Sequence, residues 1–140
     1  MAIHEIYEQL TVTDIQAACD ILRSVYEATD GMDGYVSFEV SPYLAHDTEG
    51  TMQEVRRLWH AVNRSNLFIK IPGTSAGVPA IEEMLDEGIN INITLLFSVR
   101  AYEAVAHAYI RAMERRVAES QPVDHVASVA SFFLCSPRLP

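Results

Sequence analysis

A single lysine, Lys70, closes the apolar run Leu67-Phe68-Ile69-Lys70-Ile71 just ahead of Pro72-Gly73, in a 140-residue chain whose other basic side chains are nine arginines. A primary amine can be driven to lose its proton by desolvation, which a guanidinium cannot. The free amine attacks carbonyl carbons and forms Schiff bases. A lysine snorkelling from the end of a strand would look the same in sequence. Four more polar residues, Glu39, Asn92, Thr94 and Ser131, stand near the ends of other strand-like runs. Their types fit one chemistry beside an amine that attacks a ketone. A carboxylate such as Glu39 moves protons through a water, Thr94 and Asn92 hold that water and the substrate, and Ser131 binds a hydroxyl or a phosphate. Each also has a plainer reading: Glu39 as an ion-pair partner of Lys70, Asn92 and Thr94 as satisfied interior polar groups, Ser131 as a structural hydroxyl.

The elements that must carry these residues follow from periodicity. Thr13-Asp14-Ile15-Gln16 has the spacing of a capping box, and Ile15, Ala18, Leu22, Val25 and Tyr26 recur on one helical face until Asp30-Gly31. A strand is expected from Gly34 to Val40. Thr51-Met52-Gln53-Glu54 then reads as the cap of a second helix, with Met52, Val55, Leu58, Trp59 and Val62 as its apolar stripe. After the Lys70 strand comes a helix from about Ala76 to Glu87, with Pro79 in its first turn and Gly88 beyond its end. A strand from Ile89 to Leu95 precedes a long helix capped by Ser98 and running through Val117, with Tyr102, Val105, Tyr109, Ile110 and Met113 inward. Val126 to Ser131 is the final strand.

Strands alternating with helices at this spacing predict βα units and a parallel sheet. The strands are not the uniformly apolar runs of a sheet buried on both faces. Ile89, Ile91 and Ile93 alternate with Asn90, Asn92 and Thr94, and Val36, Phe38 and Val40 alternate with Ser37 and Glu39. One apolar face against helices and one polar face bearing chemistry at the strand C-termini is the pattern of a (β/α) barrel.

Composition limits the partners. A hydrophobic content of 49% suits one globular domain or part of one, and a net charge of −9 repels nucleic acid and anionic membrane. The start of the chain lacks the pattern of a signal peptide and no apolar run has membrane-spanning length, which leads to an expectation of a cytoplasmic protein. Cys19 and Cys135 have neither disulfide nor metal spacing, and His4, His46, His60, His107 and His125 are scattered, so no metal or other cofactor is expected.

Four motifs carry a family likeness: Val36-Ser37-Phe38-Glu39-Val40-Ser41-Pro42 with Leu44-Ala45-His46-Asp47-Thr48, Ile69-Lys70-Ile71-Pro72-Gly73-Thr74, Gly88 to Ser98, and Ala127-Ser128-Val129-Ala130-Ser131-Phe132-Phe133. In these motifs, and in their order, the chain resembles the transaldolases of the bacterial group from Ile6 to Phe133. The resemblance implies a TIM-type (β/α) barrel and a metal-independent class I transfer of a dihydroxyacetone unit between sugar phosphates in the pentose phosphate pathway. It assigns Lys70 as the Schiff-base lysine, Glu39 as the glutamate working with the catalytic water, Thr94 as the holder of that water, and Asn92 and Ser131 as substrate-binding residues.

Departures from the family pattern are equally specific. A barrel of this kind needs about 250 residues and eight strands, whereas four strands are legible here, matching the third to the sixth. Residues 1–133 therefore read as the central portion of the barrel and residues 134–140 as a divergent tail. Neither the first strand with its proton-transferring aspartate nor the second with its Thr-Ser-Asn-Pro motif is found. Ser136 stands where the family places a phosphate-gripping arginine, and Arg138 comes two positions late, as a shift of reading frame near residue 134 would produce. Three expectations stay open: the family's chemistry once the barrel is completed, a simpler Schiff-base aldolase on the same barrel, or a non-catalytic fragment. The last would associate through the edge strands Gly34 to Val40 and Val126 to Ser131.

Overall fold

A computed structural model describes residues 3–134. Helix α1 (Ile3–Ala28) is followed by β1 (Val36–Glu39), α2 (Thr48–Val62), β2 (Leu67–Pro72), α3 (Gly77–Asp86), β3 (Ile91–Leu96), α4 (Val99–Ala118) and β4 (Ser128–Phe132), with a 3-10 turn at Pro42–Leu44. The four strands form one parallel sheet in the order β1-β2-β3-β4. Three complete βα units and a fourth strand are thus present, the open α/β segment that the alternation of strand and helix predicts.

Alternation sets the two faces. Leu67, Ile69 and Ile71 of β2 and Ile91 and Ile93 of β3 turn toward the helices and are buried with Ile81, Met84 and Leu85 of α3 and Val55, Leu58 and Val62 of α2. Removing such aliphatic side chains from water is the main favourable term holding sheet and helices together. Ser37, Glu39, Lys70, Asn92 and Ser131 alternate onto the opposite face. That face is curled inward. Strands two apart in a sheet are separated by about 9.6 Å, yet Asn92 on β3 hydrogen-bonds Ser37 on β1 across the whole width of β2, at 3.0 Å.

The base of the sheet is tied by two asparagines, each standing immediately before a strand. Asn66, fully buried, donates to the carbonyls of Cys19 and Gly34, joining α1 and the approach to β1. Asn90 donates to the carbonyls of Ser65 and Leu67 and accepts the N–H of Ala127, joining β2 to β4. At the back, the buried Arg116 has no carboxylate partner among the described residues. Its guanidinium donates to the carbonyls of Asp86 and Pro122 and so closes the C-terminal end of α3.

Several expected boundaries move. Thr13 lies inside α1, not at its start, and its hydroxyl donates back to the Gln9 carbonyl four residues earlier. Asp47, not Thr51, caps α2 by accepting the Gly50 N–H, while Thr51 is buried and donates to the Leu44 carbonyl. Ser98 caps α4 as expected, accepting from the Ala101 N–H. The inward face of α4 is Val105, Ala108, Ala112 and Arg116, whereas Tyr102, Tyr109 and Ile110 are exposed. The small alanines let α4 lie close against α3, which turns the bulky residues outward. Ser136, Arg138 and Cys135 fall outside the described residues.

Candidate active site

Lys70 and Glu39 are register partners on neighbouring strands, β2 and β1. Because the two point to the same face, the lysine Nζ comes to 3.2 Å from the glutamate Oε2. Their side chains are 28% and 49% exposed. The amine is therefore paired and partly open to water, not enclosed as a desolvated nucleophile would be, because the sheet is open on both flanks. The local sequence explains the placement: Ile69 and Ile71 anchor β2 in the core on either side and leave Lys70 only the opposite face.

Asn92 on β3 is the register neighbour of Lys70 on its other side. Its amide oxygen accepts from the Ser131 hydroxyl at 3.0 Å, and its amide nitrogen donates to Ser37 at 3.0 Å. Thr94, two residues further along β3, is register partner of Pro72 and is 1% exposed. All five residues expected from the sequence thus lie on one face, with direct hydrogen bonds joining Lys70 to Glu39 and Asn92 to Ser131. Thr94 sits one step nearer the mouth. Ser37 was not among the expected residues. It stands two positions before Glu39, so the strand period alone places it on the same face.

The mouth above these residues is built by short connections. Thr74 donates to the Ala45 carbonyl at 2.6 Å and accepts the Gly77 N–H, and Thr48 donates to the Ala76 carbonyl at 2.7 Å. The turns after β1 and β2 are thereby clipped to each other. Gly77 permits this closeness, since a Cβ there would overlap the Pro72 carbonyl oxygen. At the end of β3 a bulge sets Thr94 and Leu95 opposite Ser131 alone, with Leu95 at φ +58°. A cleft of about 510 Å³ runs beside β1 and takes in Glu39, Ser41 and Arg57, but Lys70 is not among the residues that line it. The amine site lies instead on the open face of the sheet.

Among the described residues no group of three or more His, Cys, Asp or Glu side chains is arranged to hold a metal ion. His46, in the connection after β1, is exposed. The arrangement offers an amine, a carboxylate, an amide and three hydroxyls, a set suited to carbonyl addition and proton transfer.

Comparison with known proteins supplies a family. The transaldolase/fructose-6-phosphate aldolase family model matches residues 1–135. Transaldolase 2 of Nostoc punctiforme is 56% identical over 134 residues, covering 96% of this chain and 35% of that protein. A transaldolase of Trichodesmium erythraeum is 55% identical over 130 residues, covering 93% of this chain and 34% of that protein, and one of Mycobacterium bovis is 50% identical over 125 residues. The chain spans about a third of the length of these curated relatives. Its four parallel strands are accordingly part of a TIM-type barrel. A family match over nearly every residue, an open barrel segment and an amine on its polar face lead to one conclusion: the chain belongs to the transaldolase/fructose-6-phosphate aldolase family.

Proposed function

We propose that this chain carries the amine-bearing part of a transaldolase, transferring a dihydroxyacetone unit from sedoheptulose 7-phosphate to glyceraldehyde 3-phosphate and yielding erythrose 4-phosphate and fructose 6-phosphate. The single observation that carries this reading is the only lysine of the chain paired at 3.2 Å with Glu39 and flanked in register by Asn92. Lys70 adds to the ketose carbonyl, and loss of water gives a protonated Schiff base. That cation accepts the electron pair of the adjoining carbon–carbon bond as it breaks, releasing the first aldehyde. The enamine left on Lys70 then attacks the acceptor aldehyde, and water regenerates the free amine. Glu39 moves protons through a water held by Thr94, and Asn92 and Ser131 bind the hydroxyl groups of the substrate. The reaction uses no metal.

A net charge of −9 supports small anionic metabolites bound locally, not nucleic acid. Among the described residues no helix is long and apolar enough to cross a membrane, and the pentose phosphate pathway of the cytoplasm is the setting that fits. Four strands do not close a barrel. Schiff-base formation is therefore the step assigned to this chain alone, and full turnover to the chain joined by the remaining strands at the bare edges of β1 and β4.

The test is to incubate the purified chain with fructose 6-phosphate, reduce with borohydride and measure the intact mass. A stable adduct of a three- or six-carbon unit is expected, absent from Lys70→Arg, which controls for the N-terminal amine. A soluble, folded chain that gives no adduct would sink the reading.

A further inference from the structure

Asn92 is held from both sides by hydroxyl groups on different strands. Ser131 on β4 donates to its amide oxygen and Ser37 on β1 accepts from its amide nitrogen, each at 3.0 Å. The line of hydrogen bonds runs from β4 to β1 and passes over β2, the strand of Lys70. A primary amide has two N–H donors and two acceptor lone pairs. With one of each committed to the serines, one N–H and one lone pair remain. The terminal torsion of an asparagine is broad and roughly two-fold, so an untethered amide would present oxygen or nitrogen interchangeably to a bound polyol.

We propose that Ser37 is a positioning residue of this site. It fixes the Asn92 amide plane beside Lys70, so that the remaining N–H and lone pair are aligned in advance for the hydroxyl groups of a short polyhydroxy ketone held at the amine. The inference rests on the Schiff-base reading of Lys70 and gives Ser131 a share in the same task. Ser37 is exposed, and a neutral hydrogen bond that water can replace contributes little to folding. Loss of its hydroxyl therefore separates positioning from stability.

Three chains test it: the native sequence, Ser37→Ala and Ser37→Thr. The readouts are the side-chain amide proton and nitrogen NMR signals of Asn92 and the rate of borohydride-trapped adduct formation with fructose 6-phosphate. Ser37→Ala is expected to move the Asn92 signals and slow trapping roughly threefold to tenfold, the range set by one neutral hydrogen bond, with the urea midpoint unchanged. Ser37→Thr, which keeps the hydroxyl, restores both. Unmoved Asn92 signals in Ser37→Ala overturn the inference at its contact. Moved signals with an unchanged trapping rate overturn the positioning role, as does a threonine variant that behaves like the alanine one. Absence of any adduct in the native chain overturns the Schiff-base reading and the positioning role with it, and the amide signals distinguish that failure from a missing contact.

Discussion

Asn90 accepts the backbone N–H of Ala127 at 2.9 Å while its own amide donates to the Leu67 carbonyl at 3.2 Å, so one buried side chain spans β2, β3 and β4. Removing it strands a buried N–H and a carbonyl at the base of the sheet, and a buried polar group left unpaired costs about 1–3 kcal/mol. Asn90→Ala is expected to destabilise the chain by roughly 2–4 kcal/mol in urea unfolding, the lost hydrogen bonds included. A loss below about 0.5 kcal/mol, the range of ordinary surface substitutions, would show that the tie is dispensable.

Glu39 sits opposite Lys70 but is half exposed, so their ion pair is worth little to folding. Glu39→Gln is expected to shift stability by less than about 0.5 kcal/mol and to slow Schiff-base trapping by at least about tenfold, the low end of what a general acid–base group supplies being about a hundredfold. Equal trapping rates in the two chains would remove Glu39 from the chemistry.

Gly77 starts α3 directly beneath the end of the Lys70 strand, where the Pro72 carbonyl oxygen occupies the space of a Cβ. Gly77→Ala must push the helix start away from β2, an overpacking cost of about 1–3 kcal/mol. The matching observable is a lowered urea midpoint together with disturbed backbone amide signals of Thr74 and Ala45, which the same clip holds. Unchanged stability would mean that the turn relaxes freely.

Asp20 and Arg64 form a two-pronged pair at 2.6 and 3.0 Å, joining α1 to the segment before β2. The hydrogen bond from Arg64 holds the Asp20 carboxyl below its ordinary value. The folded state therefore binds this proton more weakly than the unfolded state. The contribution to stability is complete above the ordinary aspartate range and is lost as pH falls through the lowered folded value. Asp20→Asn is expected to flatten the acid limb of a stability-against-pH curve below about pH 4, near the unperturbed aspartate value. Superimposable acid limbs would count against the pair.

Much of this arrangement is legible in sequence because it rests on period two. Ile91 and Ile93 against Asn92, and Val36 and Phe38 against Glu39, fix which face of each strand meets the helices. Ser98 before a long amphipathic run marks the start of α4 for the same local reason. The misplaced helix starts share a cause: a Thr with Gln or Glu three residues on has capping spacing wherever it occurs. Thr13 is overruled by the helical residues that precede it, and Thr51 by the better acceptor Asp47. On α4, bulk marks burial for Val105 and Met113 but not for Tyr102, Tyr109 and Ile110. Ala108 and Ala112 are buried because α3 comes close, a tertiary fact. Alternation places Ser37 and Asn90 on the polar face but not their roles, since what each bonds lies on elements brought together only by folding.

The bulge at Leu95 changes the phase of the strand. Uninterrupted alternation would turn Leu96 to the same side as Thr94, yet Leu96 is fully buried in the core and lies over Gly73. One extra residue thus divides β3 into two independently readable frames, one spelling the polar face up to Thr94 and the other spelling the packing of the exit toward α4. Substitutions in either frame leave the other's inside–outside assignment intact. Straightening the bulge while keeping its length would merge the frames and turn Leu96 out of the core, so the left-handed backbone at Leu95 is what keeps both frames in place.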